Sequence, residues 1–288
     1  MTIEIIAKNT FGHFKYLPDL AGFCVKQYDD ITIINAGLNS SMFNVVCDTH
    51  LEKWAENQEG AYDPFQRVRD NISILGDVYL GGMPRHGEGF IEKKIHQMIT
   101  LFNNQPFAWW LAPTCDPAWL PETLKAMYFK KSTTEHAMLC ELKNIAPAGA
   151  GTLSIQQVLE KNQLDHFIEV IEPYDAAARE FYEKVESWML DKQEKLFVGY
   201  EHNTPAVIAT LYMDAYTKSA GIFNLITTKN KRGQGYGTQM MQHLLVFSQK
   251  SDMNYATLCA SSDAGFRIYQ QLSFETLGEF QCFEWGGK

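Results

Sequence analysis

Cysteine is scarce in this 288-residue sequence, and its six cysteines form no Cys-x-x-Cys motif. None of them lies at metal-ligand spacing from a histidine, so the sequence predicts no metal site. Cysteines spread this thinly through a long chain are typical of reduced, mostly buried thiols in a cytosolic protein.

Long apolar segments are also lacking. The longest conspicuous one, residues 106–113, is far shorter than the ~18 residues that span a membrane. The amino terminus, Met1-Thr2-Ile3-Glu4, carries a charge where a signal peptide needs an apolar stretch. We therefore expect a soluble, cytoplasmic protein with no membrane partner.

Positive charge is in deficit. Lysine and arginine number 25 against 34 aspartates and glutamates, which gives a net charge of −9. A protein that binds the phosphate backbone of nucleic acid normally carries a basic face, so we expect no nucleic-acid partner. The acidic balance weakly favours a cationic substrate. Apolar residues make up 45% of the chain, as in an ordinary globular protein.

A short segment of small, uncharged residues divides the sequence near its midpoint. Ile145-Ala146-Pro147-Ala148-Gly149-Ala150-Gly151 has the composition of a flexible linker. We predict two domains, residues 1–145 and residues 152–288, each long enough to bury its own core.

Strands and helices alternate in the second half. Short β-rich runs predict strands, and apolar residues at helical spacing predict helices. The predicted strands are residues 154–158, 196–200, 206–213, 220–227, 255–259 and 274–285, of which the last is either one strand or a pair of strands. The predicted helices are residues 164–171, 175–190, 238–250 and 264–272. This order predicts an α/β fold with a mixed sheet flanked by helices.

The first half repeats part of this order. Arg232-Gly233-Gln234-Gly235-Tyr236-Gly237 opens a predicted helix that a strand and a second helix follow. His86-Gly87-Glu88-Gly89-Phe90-Ile91 precedes the same succession. The spacing from Gly235 to Phe274 is nearly the same as the spacing from Gly89 to Phe129. An offset of about 145 residues between these features predicts that one fold is present twice.

The strongest local signal is the run Lys229-Asn230-Lys231-Arg232-Gly233-Gln234-Gly235-Tyr236-Gly237-Thr238, between a predicted strand and a predicted helix. Glycines let the backbone approach a ligand and adopt positive φ. Their N–H groups and those of the first helical turn form an anion site, for which a pyrophosphate is the expected ligand. A Walker loop would need a lysine before Thr238, and the G-x-G-x-x-G spacing of dinucleotide sites is absent.

In the form Arg232-x-x-Gly235-x-Gly237, this loop resembles the (Q/R)-x-x-G-x-(G/A) acyl-CoA pyrophosphate loop of the GNAT superfamily of N-acetyltransferases. The preceding Asn224-Leu225-Ile226-Thr227 resembles that family's fourth strand. The segment from Ser261 to Phe274 is similar to its strand-five-to-helix-four segment, although Ser273 replaces the usual glycine. The resemblance covers roughly residues 152–288 and implies a GNAT-like, mixed and splayed sheet.

The resemblance implies acetyl-CoA as the co-substrate, without a metal. The pyrophosphate would be held by the backbone of Arg232, Gly233, Gln234, Gly235, Tyr236, Gly237 and Thr238. The pantetheine arm would pair with main-chain groups of Leu225, Ile226 and Thr227, where the sheet of the family splays. Ser261 and Phe266 complete the expected contacts.

The resemblance also implies two catalytic features. Tyr269 would protonate the departing CoA thiolate or hydrogen-bond to it, the alternative being a packing role on its helix. A backbone N–H in the gap of the sheet would stabilise the oxyanion that forms at the acetyl carbonyl.

The general base is not evident from the sequence, because the predicted strand 220–227 contains no carboxylate. Asn224 cannot accept a proton at neutral pH, although it could place a water. Attack by an amine deprotonated in solution and a water chain to a distant carboxylate both remain open. Glu172, Tyr174 and Tyr182 fall in the region that borders acceptor sites in relatives, and each is expected to be a capping or packing residue.

The first repeat resembles a degenerate GNAT domain, because Ile91 stands where the second repeat has Gly237, and His86 where it has Arg232. We expect it to have lost acetyl-CoA binding and to complete the acceptor cleft or pack against its partner. The predicted activity is direct transfer of an acetyl group from acetyl-CoA to a primary amine. A non-catalytic acyl-CoA-binding or regulatory module is the alternative. The acceptor, a small molecule or a peptide, is not identified, and we expect a monomer or homodimer.

Overall fold

The fold is built on one open β-sheet of eleven strands. The computed structural model describes residues 2–28, 30–50, 90–115, 118–145, 151–186 and 193–286. The strands are β1 (Cys24–Gln27), β2 (Thr32–Asn35), β3 (Asn44–Cys47), β4 (Phe107–Leu111), β5 (Lys130–Glu141), β6 (Ser154–Gln157), β7 (Glu194–Glu201), β8 (Thr204–Asp214), β9 (Ser219–Thr227), β10 (Tyr255–Ala260) and β11 (Glu275–Trp285). The α-helices of the described residues are α1 (Thr2–Leu20), α2 (Phe90–Leu101), α3 (Leu120–Ala126), α4 (Lys161–Ile171), α5 (Ala178–Val185), α6 (Tyr236–Lys250) and α7 (Asp263–Gln271).

The two halves of the chain exchange their last strands. The strand order is β1-β2-β3-β4-β11-β5-β10-β9-β8-β7-β6. Strand β5, which ends the first half, pairs antiparallel with β10, and β11, which ends the second half, pairs antiparallel with β4. The two exchanged strands also pair with each other at the centre of the sheet. Each half therefore completes the sheet of the other.

The register of β5 against β11 shows an internal twofold symmetry. The central pair of this ladder, Glu135 and Phe280, is separated in sequence by the same offset that relates the two repeats. The two residues that the ladder skips, Ser132 and Leu277, are separated by the same offset. The parallel pairing of β3 with β4 likewise corresponds to that of β9 with β10. These correspondences agree with the duplicated fold predicted from the sequence.

Helices cover both faces of the sheet. Helices α6 and α7 pack on one face, where Phe197 of β7 joins Met240 and Leu244 of α6 in a core. Val198 points to the opposite face, because successive strand residues alternate, and packs there with α4 and α5. In the first half, α2 and α3 pack on Trp109 of β4.

The amino-terminal helix α1 packs against strands of both halves. Phe11 packs edge-on against Phe280 of β11, with ring centroids 5.9 Å apart. Asn9 Nδ2 donates to the main-chain oxygen of Ser219 at 3.2 Å and to its hydroxyl at 2.9 Å. A glycine is required opposite Asn9, because a Cβ on Gly221 would lie 1.9 Å from Asn9 Oδ1. Helix α1 thus docks on β9 through a close backbone approach.

The predicted strands and helices of the second half are present, with ends that differ by a few residues. The final predicted segment is one strand, β11, and the helix predicted over residues 175–190 is described only as α5. Helix α1 has no counterpart among the predicted elements. The predicted linker at residues 146–150 and the glycine turn at residues 86–89 lie outside the described residues, and the domain boundaries stay a prediction.

The six cysteines are free thiols, of which Cys47, Cys140 and Cys282 are buried and Cys24 is exposed. Among the helices that the structure describes, none has the length and apolar character needed to cross a bilayer. Within the same residues, no group of three or more His, Cys, Asp and Glu side chains is placed to hold a metal ion.

Candidate active site

Strands β9 and β10 separate partway along their length. They pair in parallel only between Ser219–Gly221 and Tyr255–Thr257. Beyond Gly221, β9 stays paired with β8 on one edge, while its other edge faces a gap. The splay expected from the sequence is therefore present. An extended ligand in this gap would find free main-chain groups, as a peptide does at the edge of a sheet.

A bulge interrupts β9 within the gap. The ladder with β8 skips Asn224 and Leu225, which together face Ala209. Asn224 adopts a φ of 51°, in the left-handed region that few non-glycine residues occupy. Because a bulge leaves backbone groups without a ladder partner, main-chain groups of Asn224 and Leu225 are available to a ligand at this point.

The side chain of Asn224 is engaged by the neighbouring elements. Its Nδ2 donates to Thr210 Oγ1 at 3.2 Å. The hydroxyl of Tyr182, on α5, interacts with both side chains, and burial raises the pKa of Tyr182 well above its ordinary value. These contacts fix the bulge and agree with a packing role for Tyr182. A water placed by Asn224 stays a prediction.

The glycine-rich loop leads from β9 into α6. Gly233 and Gly235 both have a φ of 78°, which a residue with a side chain rarely adopts. A Cβ built on either glycine meets no atom within 4 Å, so open space lies beside both. No side chain of the described residues caps α6, whose N-cap is Gly235. The N–H groups of its first turn are therefore available to an anion.

The basic residues of the loop have different surroundings. Lys231 forms an ion pair with Glu201, to which the hydroxyl of Tyr236 also donates. The hydrogen bond from Lys231 is the main reason that the pKa of Glu201 lies below its ordinary value. Arg232 stays exposed and donates from Nη2 to the hydroxyl of Tyr174 at 2.6 Å. Lys231 thus anchors the loop, whereas Arg232 remains at the surface beside it.

A cavity of about 550 Å³ joins the gap to the first half of the chain. From the second half, its lining includes Asn224, Leu225, Ile226, Ser261 and Tyr269. From the first half, its lining includes Thr10, His13, Phe14, Trp110 and Glu135. The two repeats therefore enclose one cavity together.

Tyr269 lines this cavity from α7, although α7 packs on the face of the sheet opposite α4 and α5. Its ring lies 6.0 Å from that of Phe274, centroid to centroid. Burial, and secondarily the charge of Glu135, raise the pKa of Tyr269 to about 12. The hydroxyl therefore keeps its proton at neutral pH and is available as a hydrogen-bond donor.

The remaining predicted contact residues lie outside the cavity lining. Gly237 and Thr238 are half-buried in the first turn of α6. The side chain of Tyr236 is buried and turned toward Glu201, so only its main chain is available to a ligand. Phe266 packs with its ring 4.7 Å from that of His136. The structure thus groups the predicted residues at the loop and at the gap, and Phe266 at neither.

Glu135 brings a carboxylate to the cavity from the exchanged strand β5. It follows directly beyond the pairing of His136 with Ala260 at the end of β10. Burial raises the pKa of Glu135 to about 7. Its charge in turn contributes to the raised pKa values of Tyr269 and Cys259, so it lies within electrostatic reach of both.

Helix α1 brings a second polar pair to the cavity. His13 Nδ1 lies 2.9 Å from Glu194 Oε2, and the two side chains are 15% and 2% exposed. The His13 ring stacks on Phe223 with centroids 3.8 Å apart and an interplanar angle of 11°. Pairing with His13 offsets the cost of burying the Glu194 carboxylate. The stack holds the imidazole beside the bulge.

Glu135, His13 and Glu194 were not among the residues predicted for the site. One feature of the sequence could have indicated Glu135. Residues 135, 137 and 139 of a strand share a face, and Ala137 and Leu139 are buried and apolar. A carboxylate at the end of such a face stands out, but its neighbours depend on a strand exchange between distant segments. His13 gives no signal without helix α1.

Comparisons with known proteins agree with this geometry. The family profile described as "Acetyltransferase (GNAT) domain" matches residues 155–286. A GCN5-related N-acetyltransferase from Kribbella flavida is 10% identical over 96% of this chain and 94% of that chain, with a TM-score of 0.62. A conserved protein of unknown function from Staphylococcus epidermidis is 14% identical over 91% and 93%, with a TM-score of 0.59.

A tandem GNAT protein from the clavulanic acid biosynthesis pathway is also similar in structure. It is 10% identical over 69% of this chain and 70% of that chain, with a TM-score of 0.50. No curated protein matches the sequence. At these identities the structural likeness concerns the fold. Residues 155–286 thus match the family profile of the GNAT acetyltransferase domain, and the chain has the fold of solved GNAT proteins over both halves.

Proposed function

We propose that the protein transfers an acetyl group from acetyl-CoA to a primary amine, directly and without a covalent intermediate on the protein. One observation carries this proposal. The bulge at Asn224 borders the gap between β9 and β10 and lines the cavity, and β9 leads from there into the open loop at Gly233 and Gly235. This arrangement supports a donor site along β9 next to an acceptor space in the cavity.

The residues present fit the donor. The N–H groups at the start of α6, together with Arg232, suit a pyrophosphate, because helix N-termini and guanidinium groups both favour phosphate oxygens. The free edge of β9 from Leu225 to Thr227 suits the amide groups of a pantetheine arm. Bound there, acetyl-CoA supplies a thioester carbonyl that an amine can attack.

Two groups of the chain act on that carbonyl in the proposed reaction. An unpaired backbone N–H of the bulge stabilises the negative charge that develops on the carbonyl oxygen. Tyr269 donates its hydroxyl hydrogen to the departing sulfur, which its raised pKa permits because the hydroxyl stays protonated. Helix α1 lines one side of the cavity.

The lining supports a cationic, partly apolar amine as the acceptor. Its charged residues are the carboxylates Glu135, Asp175, Glu194 and Glu284, and no lysine or arginine lines it among the described residues. Aromatic walls such as Trp110 favour the carbon skeleton of the amine and attract its charge.

Thiol release tests the proposal. The full-length protein is mixed with acetyl-CoA and a panel of aliphatic and aromatic primary amines, and free thiol and the acetylated product are measured together. Amine-dependent thiol release with matching product is expected for at least one class. Calorimetric binding of acetyl-CoA without amine-dependent release across the panel would favour the alternative, a non-catalytic acyl-CoA-binding module.

Matched charge reversals test the location of the donor. Arg232→Glu is expected to weaken acetyl-CoA binding about tenfold or more, which corresponds to ~1.4 kcal/mol, because it places a carboxylate beside the pyrophosphate. Lys125→Glu makes the same change on α3, outside the cavity lining, and is expected to leave binding unchanged. Equal effects of the two variants would contradict the assignment of the loop.

A further inference from the structure

The second half lacks a base of its own at the gap. The β9 residues that border the gap, Ile222 to Thr227, include no carboxylate. The amide of Asn224 is occupied by Thr210. Yet transfer to an amine that is protonated in solution requires that the ammonium proton be removed before or during attack. The base must come from elsewhere in the cavity.

Glu135 is the carboxylate nearest in topology to the gap. Strand β5 pairs with β10 as far as His136 and Ala260, so Glu135 follows directly beyond the end of β10, where the gap opens. It lines the cavity with Tyr269, which rises from the other face of the sheet. Glu135 pairs with Phe280 at the internal twofold axis. The twofold relates these two positions, so the position equivalent to Glu135 holds a phenylalanine and not a second carboxylate.

The groups that face Glu135 come from four elements. They are Cys259 of β10, Cys282 and Glu284 of β11, Tyr269 of α7, and His13 of α1 in the shared cavity. Burial raises the pKa values of both thiols, that of Cys282 to about 12, so neither ionises near neutral pH. Burial raises the pKa of Glu135 to about 7, so its two protonation states exchange near neutral pH.

The other carboxylates of the lining already have partners: Glu194 is bonded to His13, Asp175 accepts from Ser40, and Glu284 accepts from Ser41. His13 is the remaining competing base. Its Nδ1 is bonded to Glu194, and its ring is stacked on Phe223, which fixes it against the wall. Only Nε2 is left to meet a ligand. Glu135 has no ion-pair partner in the described part of the chain, and desolvation is the cause of its shift, so a proton that it accepts relieves an unfavourable buried charge.

We propose that Glu135, carried into the second repeat by the exchanged strand β5, is the general base that takes the proton from the acceptor amine. This role rests on the proposed function. The amine nitrogen forms a bond to the acetyl carbon, and the carbon–sulfur bond breaks. One ammonium proton passes to Glu135 before attack, and the second leaves the nitrogen to water as the amide forms. The sulfur takes the proton of Tyr269, after which water returns a proton to Tyr269 and takes the proton from Glu135. The first repeat thereby contributes a catalytic residue, although its own loop does not match the acetyl-CoA pattern.

The test uses two acceptors that differ in basicity: the best aliphatic amine of the panel, and its fluorinated analogue, which is largely neutral at pH 7. Glu135→Gln is expected to lower kcat/KM for the aliphatic amine by about 10²-fold or more, the usual range for loss of a general base. For the fluorinated amine the expected loss is less than about tenfold, because a neutral amine has no ammonium proton to surrender before it attacks. The inflection of kcat/KM near pH 7 is expected to disappear in Glu135→Gln, which leaves only the rise with the fraction of free amine, and to return in Glu135→Asp.

Glu279→Gln is the matched control, because Glu279 lies on β11 beside Phe280 but outside the cavity lining. It is expected to keep the wild-type pH profile. An unchanged pH profile in Glu135→Gln, equal losses with both amines, or transfer of the pH dependence to His13→Asn would overturn the assignment. In those cases the wild type still releases thiol, so the proposed function survives. Absence of turnover by the wild type with every amine would overturn both.

Discussion

Replacing Glu135 with glutamine should change how stability depends on pH, because the folded protein holds this carboxyl in a desolvated place. Its pKa is about 7 in the folded state against an ordinary value of 4.5. A raised pKa means that the folded state binds the proton more tightly than the unfolded state. The associated stability is fully present below pH 4.5 and is lost as the pH rises through 7.

The size of the effect follows from the shift. The difference between 4.5 and about 7, multiplied by 1.36 kcal/mol per unit, gives a loss of about 3 kcal/mol across this window. Glu135→Gln carries no titrating group there and should lack the loss. The free energy of unfolding of Glu135→Gln, relative to that of the wild type, should therefore rise by about that amount between pH 4.5 and 8. This holds whatever the difference between the two proteins at low pH.

Urea unfolding followed by tryptophan fluorescence, at half-unit steps from pH 4.5 to 8, measures the effect for both proteins. The difference between the two curves cancels the other titrating groups that the variants share. Glu279→Gln removes a carboxylate that is exposed in the wild type. The difference in unfolding free energy between this variant and the wild type should therefore stay nearly constant with pH. A constant difference for Glu135→Gln as well would show that the carboxylate is solvated, and the reasoning about its burial would be wrong.

Three further substitutions have definite expected outcomes. Gly235→Ala places a side chain at a φ of 78°, which costs about 1–2 kcal/mol, and should weaken acetyl-CoA binding in calorimetry; unchanged affinity would contradict the loop geometry. Tyr269→Phe should keep acetyl-CoA affinity but lower kcat at saturating amine by at least about tenfold, and an unchanged kcat across pH would remove Tyr269 as the proton donor. Gly221→Ala should destabilise the protein by about 1–3 kcal/mol in thermal unfolding, because its Cβ would meet Asn9 Oδ1 at 1.9 Å; a wild-type Tm would mean that α1 docks differently.

The strands, helices and glycine turn of the second half could be predicted because they depend on residues that are close together in the sequence. Alternating apolar residues marked the strands, and the glycines at 233 and 235 marked a turn whose φ of 78° requires them. The acyl-CoA role of the loop and the catalytic role of Tyr269 came from the resemblance to GNAT motifs and stay predictions. The offset between the two repeats also emerged from the sequence, and the Glu135–Phe280 pair at the centre of the sheet has this separation.

Features that depend on distant segments could not be predicted. The exchange of β5 and β11 joins strands from opposite halves of the chain, and nothing local distinguishes it from two closed domains. Helix α1 contains Gly12 and Pro18, both poor helix formers, and gains its stability from packing on the sheet. The positive φ of Asn224 is set by the bulge against β8. Without the exchange and α1, neither Glu135 nor His13 could be placed in the cavity.

The duplication explains why a half that does not match the donor motif can still shape the site. Its last strand completes the sheet of the second repeat, and α1 lines the cavity beside the gap. In the proposed function the two repeats therefore have unequal roles: the second holds the donor, and the first lines the space for the acceptor. Substitutions along β5 should accordingly affect catalysis in the second repeat.

Calorimetric titration of acetyl-CoA into the full-length protein tests most directly whether the gap of the second repeat is the donor site. One molecule per chain is expected for the wild type, with the affinity weakened by Arg232→Glu and unchanged by Lys125→Glu. Two molecules per chain, or a single one whose affinity Arg232→Glu leaves unaltered, would contradict the placement of the donor between β9 and β10.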